Sequence, residues 1–285
     1  MATTELAQRP AEGSDAALEV LKSYLHEPVD DGVVLAGYNV SVSFGGVRAL
    51  QDVSIEVGAR QFVGLIGPNG AGKSTLFDVL NGFTPPKTGQ VMLFGEDATH
   101  KPPWHRAALG IGRTFQANHI DVDQSVLNNL LVGAHRNIAG GVAAATLRTG
   151  RNRDTERRAR EVARAVARLL DLDLVLDVPA RALDFGAQRR IEIGRSLLSS
   201  PRLLLLDEPS AGFDSHESAV LFDLVAQLQH DLGLPVLLVE HYVDAVLEFC
   251  NPIFVLDQGT LIAKGSPEEI VADPAVRAAY LGETR

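Results

Sequence analysis

Two short runs, LLLLDEP at 203–209 and VLLVE at 236–240, are apolar without alternation up to their acids, and each leads into a segment of helical periodicity. Such unbroken runs suit strands covered on both faces, as in a parallel sheet flanked by helices. Earlier, VSVSF at 40–44 and SIEV at 54–57 alternate, and FVGLIG follows at 62–67. These predict the strands of an initial mixed sheet, and the whole pattern an α/β sandwich. Before them, DAALEVLKSYL at 15–25 predicts a short amphipathic helix with Leu18, Leu21 and Leu25 on one face, stopped by Pro28 and docked on a surface. From about Asn128 to Pro179 the pattern turns mostly helical, with a Gly/Ala-rich interruption, IAGGVAAATLRTG, at 138–150. The expected organisation is an N-terminal extension over 1–32, a disordered lead plus the short helix, and a domain over 33–285 that carries a helical subdomain at roughly 117–182.

Composition narrows the classes. With 285 residues, 46% of them hydrophobic, the chain buries a sizeable core. A net charge of −10 disfavours nucleic acid as the main partner, whose footprint is a broad basic excess. A single cysteine, Cys250, excludes an intrachain disulfide and points to a reducing compartment. The stretch MATTELAQRPAEGSDAALEV lacks the basic start and apolar core of a secretory signal, and no apolar run is long enough to span a bilayer. Membrane association is therefore expected to be peripheral. Between Arg148 and Arg168, eight arginines stand against the acids Asp154, Glu156 and Glu161. That run suits either a solvated helix face or a surface facing anionic lipid headgroups.

The chemistry is concentrated in LIGPNGAGKST at 65–75, an apolar strand followed by Gly67, four residues, Gly72, Lys73 and Ser74, then the helical LFDVL. Over Gly67, Pro68, Asn69, Gly70, Ala71, Gly72, Lys73, Ser74 and Thr75, glycines let backbone N–H groups curl around phosphate oxygens. The helix start adds favourable potential, Lys73 reaches the outer phosphates, and Ser74 ligates Mg²⁺. The chain is expected to bind a nucleoside triphosphate. Downstream, Asp207 can hold the metal through water and Glu208 can orient or deprotonate an attacking water, although paired acids after a strand also occur in ordinary loops. His241 follows VLLVE at the strand end where parallel sheets place ligands, which suits a γ-phosphate contact.

These pieces, in this order, resemble the ATP-binding subunit of ATP-binding cassette (ABC) transporters, from about Val33 to the C-terminus. The resemblance implies an α/β fold with an ABC-type P-loop ATPase core and mixed sheet, a helical subdomain, and here an N-terminal helical extension. It implies ATP and Mg²⁺ as ligands and ATP hydrolysis coupled to transport. It marks Phe44 in VSFGG as the aromatic stacked on adenine, and Gln116 in RTFQ as the glutamine that senses the metal and the membrane partner. Taken alone, Phe44 also suits a strand-end core aromatic, and Gln116 a loop cap. The resemblance further marks Ser210 and Asp214 in SAGFD as the loop crossing to the other subunit, and His241 as the switch histidine. FGGVRAL, GIGRTFQ, the insert after NNLLVGA and the ending GSPEEIVADPAVRAAYLGE resemble cassettes of branched-chain amino acid importers, with urea importers similar and a lipopolysaccharide exporter's cassette sharing the tail. The implied partners are transmembrane permease subunits, a second cassette and, indirectly, a periplasmic or extracellular solute-binding protein, with the chain at the cytoplasmic face of the membrane and no nucleic acid. A soluble, non-transport cassette ATPase is the alternative; the tandem cassettes, coiled coils or metal hooks that usually mark one are not seen.

One segment departs from the family pattern. Where the family reads Leu-Ser-x-Gly-Gln and grasps the γ-phosphate of ATP on the opposite subunit, this chain reads Leu183-Asp184-Phe185-Gly186-Ala187-Gln188. Gly186 is kept and the hydroxyl is replaced by a carboxylate. As a helix cap Asp184 contributes on the order of 1 kcal/mol. A carboxylate about 4 Å from a phosphate charge, at an effective dielectric near 20, costs about 4 kcal/mol. Repulsion wins if Asp184 faces the interface, which favours a heterodimer with one weakened site; if Asp184 turns outward, the backbone alone serves.

Overall fold

β3 (Phe62–Ile66) is buried at every residue and runs parallel to β8 (Val236–Val239) on one side and β9 (Ile253–Asp257) on the other. Next to β8 lie β7 (Leu203–Asp207) and then β6 (Ile111–Arg113), also parallel. Antiparallel β10 (Thr260–Gly265) completes the order β10-β9-β3-β8-β7-β6. The unbroken apolar runs thus became central strands, as two-sided burial requires. The computed structural model describes residues 14–27, 29, 31–114, 120–134 and 150–281, the side chains of 150–153 and 281 excepted.

The early strands differ from the expectation of one mixed sheet. β1 (Val33–Phe44), β2 (Val47–Gly58), β4 (Thr88–Leu93) and β5 (Glu96–Asp97) form a separate antiparallel sheet in the order β2-β1-β4-β5. The Gly45–Gly46 turn returns the chain at once, pairing Phe44 with Val47, so the alternating strands find each other locally. FVGLI has no polar face and goes to the parallel sheet instead. Val40, Leu50 and Ile55 share one core with Val63 and Leu65 of β3 and with Leu76 and Phe77 of α2 (Lys73–Asn81).

Arg106, on α3 (Pro103–Leu109), is fully buried and closes the C-terminal end of α2. Its guanidinium donates to Val79 O and Leu80 O, both at 2.7 Å, and to Lys101 O and Thr99 O. Leu80 O is one of the last carbonyls of α2, which lack partners within the helix, whereas Val79 O also accepts from Gly82 N at 3.1 Å. Burial pulls the Arg106 guanidinium down to about 10, where it still carries its charge at neutral pH.

The chain divides into two compact units. One takes in Glu27–His119 and Pro201–Arg285, and therefore both sheets and α2; the other takes in Met1–His26 and Ile120–Ser200. In the helical unit, α4 (Val126–Gly133), α5 (Gly150–Leu169) and α6 (Phe185–Leu198) pack together, so the unit extends through α6 rather than ending near 182. α1 (Ser14–Lys22) lies on α5 with Ala17 and Leu21 buried, while Leu18 and Leu25 are half-buried. α1 ends before Leu25, and Ser23 Oγ donates back to Val20 O at 2.8 Å. Such side-chain bonds compete with helix continuation. Tyr24 Oη donates to Leu198 O at 2.7 Å, and Ser200 Oγ to Tyr24 O at 3.2 Å.

The Gly/Ala-rich interruption and Arg148 lie outside the described residues, save for Gly150 at the start of α5. On α5, Arg157 pairs with Asp154, Arg158 with Glu161, and Arg168 with Asp173. These exposed pairs leave the excess of arginine over acid in this stretch in place. Among the described residues no helix is long and apolar enough to cross a membrane.

Candidate nucleotide site

β3 delivers the chain into the loop 67–72, which ends at α2. Gly67 has φ +153° and Gly72 φ +103°, conformations that side chains resist. A Cβ on Gly67 would sit 2.1 Å from Leu256 O, and one on Gly72 would sit 2.8 Å from Ala49 O. Only hydrogen fits at either position, because β9 and β2 back the loop directly. Lys73, the first residue of α2, is buried, and its Nζ donates to Gly67 O at 2.5 Å and Pro68 O at 3.1 Å. A cation is thereby held in the curve of the loop, at a helix start whose free N–H groups favour anions.

A cleft of about 530 Å³ opens on this loop, with Asn69–Thr75 on one wall and Glu208 on another. The sequence motif and Glu208, far apart in the chain, line one cleft, and Asp207 is not among its lining residues. Three further contributions were not foreseen: Val47–Ala49 at the start of β2, and Gln258 and Gly259 in the turn between β9 and β10. Gly259 N donates to Ala71 O at 2.9 Å and Gly259 O accepts from Gln51 N at 2.7 Å, so the turn buttresses the loop. The Gln-Gly pair between two apolar runs was the available signal, a hairpin turn. Phe44 is 54% exposed, which rules out the core-aromatic reading. It does not line the cleft itself but pairs with Val47, which does.

At the ends of the next two strands, Asp207 is buried and Glu208 half-buried. Glu208 has φ +45°, a left-handed backbone for a non-glycine residue, and is pinned by donation of its N–H to Val239 O at 2.8 Å. Strain of this kind collects at functional sites. Asp207 Oδ2 lies 3.5 Å from Arg113 Nη2, and the same guanidinium reaches Asp78 of α2 and lies over the rings of Phe77 and Phe83 at 4.7 and 4.8 Å. His241 follows β8 with its side chain 57% exposed, while Glu240 beside it is fully buried. Ser210 is buried against Glu240, and Asp214 caps α7 (Ser215–Leu232) in a reciprocal pair of bonds with Glu217. Burial, with the Glu240 charge second, pushes the Cys250 thiol up, so this cysteine is an unreactive core residue. Gln116 lies outside the described residues.

The ABC transporter family matches residues 50–211, and the branched-chain amino acid ATP-binding cassette transporter family matches 260–285. The high-affinity branched-chain amino acid transport ATP-binding protein BraF of Pseudomonas aeruginosa is 38% identical over 250 residues, covering 88% of this chain and 98% of its own. The chain belongs to the ABC transporter family of ATP-binding cassettes. The corresponding protein LivG of Escherichia coli is 36% identical with the same coverage. Among solved structures, the ADP conformation of an ATP-binding cassette of an ABC transporter matches with a TM-score of 0.77 and 32% identity, over 88% of this chain and 99% of that one. The cassette binds ATP and, like its family, is an ATPase that powers transport.

In the helical unit of the cassette, Asp184 is the N-cap of α6, and its Oδ1 accepts from Ala187 N at 2.6 Å. The capping foreseen from the sequence is therefore made. The start of α6, including Gly186, has one of its free N–H groups satisfied by a side chain that already carries negative charge. Asp184→Ala should lower the unfolding free energy by about 1 kcal/mol in a denaturant titration, and Asp184→Ser by only a few tenths. An alanine variant as stable as the parent would contradict the cap.

Proposed function

We propose that the cassette closes on ATP·Mg²⁺ at the cleft beside loop 67–75 and hydrolyses it to drive import, with the meeting of that loop and Glu208 in one cleft as the observation that carries the reading. Backbone N–H groups of Asn69–Ser74 and the Lys73 ammonium hold the phosphates. Phe44, exposed at the hairpin edge, stacks on the adenine. Glu208 takes the proton of the attacking water, and His241 contacts the γ-phosphate. Ser74 and Asp207 offer hydroxyl and carboxylate oxygens, the donor type Mg²⁺ prefers, and Gln116 adds a third oxygen. Among the described residues no cluster of three or more His, Cys, Asp or Glu forms an all-protein cage, which suits an ion that keeps waters and phosphate oxygens as ligands. When bound, the ion neutralises charge that develops on the phosphates.

The cargo follows from kinship. BraF and LivG are named for branched-chain amino acid transport, and the tail at 260–285 matches a family of that description. We assign this cassette to the cytoplasmic face of a membrane, docked on permease subunits that take a branched-chain amino acid or a related small polar solute from a solute-binding protein. ATP binding draws two cassettes together and hydrolysis lets them part, so transport is driven by the different affinity of the open and closed states for the nucleotide.

Asp184 sets the partner. Its carboxylate is bound at the start of α6, the segment that would face nucleotide on the opposite subunit, and repulsion of about 4 kcal/mol at contact outweighs the cap's contribution of about 1 kcal/mol. A heterodimer in which the other cassette supplies a serine-bearing segment leaves this chain's own site competent and weakens only the other.

Glu208→Gln should bind ATP as the parent does while turnover in the assembled transporter falls by about 10²-fold or more; full turnover would remove Glu208 as the base. Asp184→Ser should raise the ATPase rate of the same complex several-fold. An unchanged or lower rate would contradict inhibition by charge.

A further inference from the structure

Glu240 has no part in the functional reading above, yet it is a fully buried acid of the sheet unit with donors on both of its oxygens. Its side chain is 0% exposed, between Ser210, on the segment that follows β7, and His241. Oε1 accepts from Ser210 N at 3.0 Å and from Ser210 Oγ at 2.8 Å. Oε2 accepts from His241 N at 3.1 Å and lies 3.5 Å from His241 Nδ1. The backbone N–H of Glu240 donates to Leu65 O at 3.3 Å, which ties the same residue to the strand feeding the phosphate loop.

A buried carboxylate is costly unless each oxygen has donors, and even then an apolar residue of similar size often serves stability as well. Retention of the charge therefore calls for a reason other than stability. The donors supply one. Ser210 opens the segment 210–214, which the resemblance to ABC cassettes marks as the loop crossing to the other subunit, and His241 is the residue that the proposed function places at the γ-phosphate. A carboxylate only accepts, so the ring nitrogen facing it must carry a proton when the contact closes. That fixes which edge of the imidazole turns inward and leaves Nε2 for the open side, as second-shell carboxylates do for histidines at other reactive centres.

We propose that Glu240 is a positioning residue that couples segment 210–214 to the imidazole of His241, so that seating of the segment against a partner sets the ring for its phosphate contact. The inference rests on the reading of His241 as a phosphate contact. It assigns to one buried charge the task of reporting partner engagement to the site at which hydrolysis occurs.

The test is a double-mutant cycle on the ATPase rate of the assembled transporter carrying the full-length chain, with Glu240→Gln, His241→Ala and the pair. Glu240→Gln keeps the size of the side chain but presents an amide nitrogen to donors. It should lower kcat about tenfold or more with KM for ATP within about twofold, and should add less than about twofold to the loss caused by His241→Ala. A purely structural role would let the two losses multiply. Multiplying losses, or a kcat within twofold of the parent for Glu240→Gln, would overturn the proposal. A silent His241→Ala would instead remove the phosphate reading of His241 on which the proposal rests, so the two failures are told apart. Should Glu240→Gln not fold, Ser210→Ala takes its place in the cycle. Losses with His241→Ala that do not multiply support the coupling, and losses that do multiply overturn it.

Discussion

The constraint on which the rest depends is steric. The loop after β3 can follow its tight path only because Gly67 and Gly72 adopt φ values of +153° and +103° where β9 and β2 leave no room for a side chain. A glycine-rich loop leading into a helix start can turn N–H groups towards phosphate oxygens, so the site proposed for the nucleotide rests on the shape of the backbone. Lys73 completes it by placing a cation on the carbonyls of Gly67 and Pro68, where the loop's own dipoles hold it.

Around that loop the parallel sheet does the positioning. β3, β7 and β8 run in one direction, so their C-terminal ends carry the phosphate loop, the Asp207–Glu208 pair and the Glu240–His241 pair to the same edge. Ligands collect at such edges because helix starts and strand ends converge there. The bonds that join the pieces cross between strands: Glu208 N to Val239 O, Glu240 N to Leu65 O, and the carboxylate of Glu240 to Ser210. A rigid parallel core therefore fixes residues that come from three distant parts of the chain.

Much of this was legible in the sequence, for reasons that are local. A glycine pattern between an apolar strand and a helix has few other uses, and runs such as LLLLD cannot face water on either side. The cap at Asp184 is likewise a short-range bond, read from residue type and position. What escaped was long-range. The separation of β1 and β2 into their own antiparallel sheet depends on a hairpin closing before β3 is reached, and periodicity does not report sheet membership. The turn at Gln258 and Gly259 enters the cleft only because β9 lies beside β3. Nothing in the local pattern singles out Arg113, set between two rings and two acids, or the fully buried Glu240, because partners many residues away decide their surroundings. The helical unit extends through α6 because side-chain packing, rather than a break in composition, draws its edge.

The central claim is that a preformed backbone cradle closed by Lys73 grips the phosphates of ATP. Isothermal titration of ATP·Mg²⁺ into the purified full-length chain tests it most directly, with Lys73→Ala as the comparison. Saturable heat at one nucleotide per chain, lost in the Lys73→Ala protein, is the predicted result. An absence of saturable heat from the parent chain, or equal binding by the variant, would contradict the account.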